Sequence, residues 1–114
     1  MRPVMTSAHG ALLRALERYF ETERERNLPS LRIEGLRSES WASVTFSGHR
    51  HHLDLVIGVA REIDLNNLIS TLSTAELVVP GHFVADVTLI ARQWQQTAEG
   101  RQIRLSFEIL TIED

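Results

Sequence analysis

Two runs of alternating apolar and polar residues dominate the second half of the chain. Phe83, Ala85, Val87, Leu89 and Ala91 share one parity in the first run, and Ile103, Leu105, Phe107 and Ile109 share one parity in the second. A period of two places successive side chains on opposite faces of a strand, so each run predicts a strand with one buried face. The other parity is mixed. Val84, Ile90, Trp94, Leu110 and Ile112 stand among Asp86, Arg92, Arg104 and Glu108. That mixture predicts a second sheet face that is partly covered, by this chain or by a partner. A three-residue loop, Ala98-Glu99-Gly100, would bring the odd positions of both strands onto one face, with Gly100 in the left-handed place of a bulged turn. This register sets Trp94 opposite Arg104 and Ile90 opposite Glu108.

Earlier in the chain the period is first helical. Leu12, Leu13, Leu16, Tyr19 and Phe20 make one stripe of a helix capped by Thr6 or Ser7 and running to about Arg26, before Pro29 stops it. From Leu31 the alternation becomes strand-like through Ile33 and Gly35. Ser38-Glu39-Ser40 reads as a turn, Trp41–Phe46 as a second strand, Ser47-Gly48 as another turn and His49–Val59 as a third strand. Asp64 is placed to cap a short helix. Ile63 and Leu68 occupy the positions of a hydrophobic staple, and Leu65, Leu68, Ile69 and Leu72 form its stripe. Pro80-Gly81 then breaks the backbone. The expected fold is α+β, ordered helix, three strands, helix, two strands. It would form a mostly antiparallel five-stranded sheet with the helices packed on one face, in a single domain spanning residues 1–114.

Composition narrows the chemistry. The 114 residues include no cysteine, which excludes disulfides, thiolate catalysis and cysteine-bound zinc. No apolar run resembles a signal peptide or approaches the ~20 residues of a membrane span, so a cytoplasmic protein without membrane contact is expected. All 12 cationic side chains are arginine, which pairs in bidentate fashion and stacks on aromatic rings. The formal net charge of -3 and the lack of a basic run argue against nucleic acid as a partner.

Histidines draw attention at Gly48-His49-Arg50-His51-His52, with His82 beyond. Imidazoles bind zinc, nickel and copper, and His52 with Asp54 could begin a site, but the spacing fits no defined zinc motif. No metal or cofactor is therefore expected. Asp86, in mid-strand between apolar neighbours, could act as a general acid or base, or pair with Arg50, Arg92 or the Thr88 hydroxyl. An Asp54–His52–Ser43 relay lacks any signature of an oxyanion hole or nucleophile elbow. Pro80-Gly81-His82 reads as a turn rather than a phosphate loop.

Trp41, Trp94, Arg50 and Arg104 have the composition of an interface core, being aromatic and arginine-rich. They are expected to anchor a binding face, with a homodimer as the commonest arrangement and another protein as a further partner. The favoured expectation is a non-enzymatic interaction module. The alternative is a small metal-dependent or acid/base hydrolase centred on His52, Asp54 and Asp86. A cavity between helix and sheet would make a third, ligand-binding reading.

The stretches Trp41–His51 and Val79–Val87, together with the ending Glu108–Asp114, resemble segments of small, uncharacterised bacterial proteins, a resemblance that implies no activity. The element order is similar to that of type III secretion chaperones, without their final helix. That resemblance is architectural and implies a dimeric binding module that takes extended segments.

Overall fold

The structure is a computed structural model and describes residues 8–58 and 61–114. The caps expected at Thr6 or Ser7, and the end of a strand expected at Val59, lie outside those residues. Two helices and four strands follow in the order α1 (Ala8–Arg26), β1 (Arg32–Ala42), β2 (Ser47–Gly58), α2 (Glu62–Ser73), β3 (His82–Thr97) and β4 (Gly100–Glu113). The strands form one antiparallel sheet in the order β1-β2-β4-β3. The architecture is α+β, but the sheet has four strands and not five.

The fifth strand disappears because Arg32–Ala42 is continuous. Ser38-Glu39-Ser40, expected to turn, pairs with His51, Arg50 and His49 inside the β1–β2 ladder. Polar side chains there meet polar partners across the sheet, a condition that local sequence does not reveal. The chain reverses instead at Ser43–Phe46. The Ser43 amide donates to the Phe46 carbonyl at 2.7 Å, and the Phe46 amide donates to Ser43 Oγ at 3.1 Å. A serine hydroxyl that caps its own turn in this way competes well with strand pairing. The β-branched residues expected to continue a strand therefore sit on a hairpin tip, where Val44 is fully exposed. Ser47 and Gly48, expected as a turn, begin β2.

The last hairpin also departs from the expected register. Thr97 pairs with Gly100 across a two-residue loop, Ala98-Glu99. Register shifts between Val84 and Asp86 and between Leu89 and Ala91 each leave one residue of β3 unpaired. Each bulge changes which parity faces inward. Trp94 consequently pairs with Ile103 rather than Arg104, Thr88 takes the place opposite Glu108, and Ile90 lies within a bulge. The odd positions of β3 therefore do not all face inward, whereas on β4 Ile103, Leu105, Phe107, Ile109 and Thr111 are all buried.

Both helices pack on the face those residues define. Ala8, Leu12, Leu16 and Phe20 of α1 meet Leu65, Leu68 and Leu72 of α2 over Leu53, Leu55 and Ile57 of β2, Val87 of β3 and the inward residues of β4. Tyr19 Oη donates to Thr71 Oγ1 at 2.8 Å and ties the two helices together. Burial pushes the Tyr19 hydroxyl pKa up, against the opposing effect of that hydrogen bond. Helix α2 starts three residues earlier than an Asp64 cap would place it. Arg61 is the cap residue and makes no side-chain capping bond, while its guanidinium donates to the Asp64 carboxylate at 2.9 and 3.2 Å. Ile63 is exposed, so the expected staple does not form. Between α2 and β3, His82 N–H donates to Val79 C=O at 2.9 Å across Pro80-Gly81. Gly81 has φ +80°, as the third residue of a type II turn requires. Among the described residues no helix is long and apolar enough to cross a membrane.

Candidate functional site

Residues directly opposite across a ladder share a sheet face. On the face away from the helices the register gives successive rows across the four strands. Trp41, Gly48, Ile112 and Phe83 form the first row, Glu39, Arg50, Leu110 and Asp86 the second, and Arg37, His52, Glu108 and Thr88 the third. Further along lie Gly35, Asp54, Ser106 and Ala91, then Arg32, Val56, Arg104 and Gln93. No described element covers this face, and its β4 residues Arg104, Ser106, Glu108, Leu110 and Ile112 are all half-buried.

The middle of the bare face is ionic. Arg104 Nη2 lies 2.6 Å from Glu34 Oε1, Arg50 Nε lies 3.7 Å from Glu108 Oε2, and His52 Nε2 lies 3.5 Å from Glu39 Oε1. Ser106 Oγ donates to Asp54 Oδ1 at 2.7 Å. These are partly exposed pairs, worth about 0–1 kcal/mol each. Apolar surface concentrates at one end. Phe83 is 47 % exposed, in one row with the half-buried Trp41 and Ile112. Gly48 makes this row possible. A Cβ there would collide with the Thr111 carbonyl oxygen, so only glycine lets β2 and β4 approach this closely.

The expected anchors divide between two faces. Trp41, Arg50 and Arg104 share the bare face. Trp94, opposite the buried Ile103, lies on the helix side, and its ring is covered by Arg101, whose guanidinium carbon is 4.0 Å from the ring centroid. The four residues therefore do not form one patch. Phe83 and Ile112 accompany Trp41 instead. Ile112 belonged to the mixed parity, but Phe83 was assigned to the other face because the bulges of β3 leave no mark in the alternation.

His52, Asp54 and Asp86 do not converge. Asp86 is two strands away from β2 and its carboxylate accepts from Thr88 Oγ1 at 2.7 Å, one of the three partners considered for it. Arg92, another of those partners, reaches Glu62 and Asn66 of α2. Ser43 belongs to the hairpin turn, so no Asp54–His52–Ser43 relay forms. Among the described residues no group of histidines and carboxylates is arranged to hold a metal ion.

Four histidines gather on the helix side instead. Ser38 Oγ lies 2.6 Å from His9 Nδ1 and 2.6 Å from His51 Nδ1. His51 Nε2 lies 2.9 Å from Thr111 Oγ1, which donates to the His49 carbonyl at 3.4 Å. His49 stacks on His51 with ring centroids 5.9 Å apart and lies 5.7 Å from His82. The His51 ring is fully buried, and that burial, reinforced by its histidine neighbours, lowers its pKa to about 4. His49 is also lowered, first by burial and then by His82, with Glu113 opposing. The serine–imidazole pair has the elements of a nucleophile and base, but the His51 ring is fully buried. The alternation of His49 and His51 placed them on one face. His9 and Thr111 come from opposite ends of the chain and carried no signal.

No family model, curated protein or solved structure matches this chain. The functional reading therefore rests on geometry.

Proposed function

We propose that this chain is a non-enzymatic binding module that pairs with a second copy of itself through the apolar end of its bare sheet face. The observation that carries this reading is the Trp41–Ile112–Phe83 row on a face that no described element covers. Contiguous apolar surface rimmed by charge is the composition of an interface core and rim. A second copy is favoured over an acidic or basic partner by the neighbouring row. Glu39, Arg50 and Asp86 carry both signs, so a two-fold axis near Leu110 brings opposite charges together. Trp94 takes no part in this reading.

Sedimentation velocity at micromolar concentration tests it. A dimer is expected, dissociating at least tenfold more readily in Ile112→Arg and Trp41→Ala and unchanged in Trp94→Ala. A monomer at every concentration, or a dimer that only Trp94→Ala weakens, overturns it. A monomer that co-purifies with an unrelated protein moves the face to a different partner.

A further inference from the structure

The histidine array fastens one end of α1 to the sheet, and its hydrogen bonds can be oriented. Thr111 Oγ1 gives its proton to the His49 carbonyl, so it accepts at His51 Nε2–H. Neutral His51 then has a bare Nδ1, which accepts from the Ser38 hydroxyl. Ser38 Oγ in turn accepts from His9 Nδ1–H. One continuous chain therefore runs from the first turn of α1 through β1 and β2 to β4, with Ala8 and Leu12 buried behind it.

We propose that this chain is an acid-sensitive latch, which docks the first turn of α1 at neutral pH and releases it when the cluster protonates. The inference is independent of the bare face. A single proton leaves the hydrogen bonds intact, because Ser38 can turn and donate to the ring that stays neutral. Protonating both His9 and His51 is not. Each ring then presents an Nδ1–H to the same oxygen, the Ser38 proton loses its acceptor, and two cations face each other across one hydroxyl. The surroundings offer little compensation. His51 meets His9 from α1, Ser38 from β1, His49 and His52 from β2, His82 from β3, and Thr111 from β4. Among the described residues the charges acting on His51 are all imidazoles, while Glu113 acts on His49. A buried imidazolium without a carboxylate is unfavourable, so acid works against the docked state.

Hydrogen exchange resolved by residue, corrected for intrinsic rates, tests this between pH 7 and pH 4.5. The amides of the second turn of α1, the first with carbonyl acceptors inside the helix, are expected to lose at least tenfold protection, while β4 keeps its protection. The His51→Asn variant, which cannot take up the proton, should show no such pH dependence. Unchanged protection in α1, equal loss in α1 and β4, or the same loss in His51→Asn overturns the latch. Should His51→Asn fail to fold, NMR titration of the wild-type ring decides: a midpoint near 4 accompanied by α1 shifts is expected, and a midpoint above 6 overturns it.

Discussion

Trp41 and Trp94 stand on opposite faces of the same sheet. Trp41 lies over Gly48 on the bare face, and Trp94 lies over Ile103 on the helix side, beneath the Arg101 guanidinium. The two indoles therefore report on different surroundings. In a Trp41→Phe background, Arg101→Ala should shift Trp94 emission and cost about 0.5–1 kcal/mol, the worth of an exposed cation–π contact. Arg104→Ala should leave that emission unchanged, since Arg104 pairs with Glu34 on the other face. An emission shift in Arg104→Ala alone would contradict the register.

Glycines provide a second test, because they differ in what an added methyl meets. Gly48→Ala drives a Cβ into the Thr111 carbonyl and should destabilise by about 1–3 kcal/mol or more, as overpacking does. Gly35→Ala meets nothing within 4 Å at a backbone angle other residues adopt, and should be neutral or stabilising by up to about 1 kcal/mol. Urea unfolding of the two variants reads the difference.

Phe107 is 1 % exposed at the centre of the cluster shared by both helices and three strands. Truncation to alanine should cost about 3–5 kcal/mol and lower the urea midpoint without changing the slope. Val44→Ala, at the exposed hairpin tip, should stay within about 0.5 kcal/mol of wild type.

Global stability should fall with acid in a defined window. Unfolded His51 takes its proton near the ordinary imidazole value of ~6.5, whereas the folded ring resists it down to about 4. Above the upper limit both states are neutral and the folded chain keeps its full advantage. As pH falls through the window the unfolded chain binds the proton first and stability declines, by roughly 3 kcal/mol in all. Denaturant titrations from pH 7 to pH 4 should show this decline in wild type and a smaller one in His51→Asn.

The amphipathic stripe of α1, the buried run of α2 and the inward parity of β4 could be read from the chain alone. Each is set by a local period and by a face that must leave water. The parity of β2 was legible in the same way and put His49 and His51 on one face; that this is the helix side follows from their partner Thr111 and the inward residues of β4. Tertiary structure decided the number of strands, the face of Trp94 and the path of the histidine chain. Ser38-Glu39-Ser40 continues a strand because His51, Arg50 and His49 stand opposite it, and the β3 bulges appear only once β4 is paired. His51 and Thr111 meet although sixty positions separate them. Local patterning records which side of an element avoids water, but not which element lies across from it.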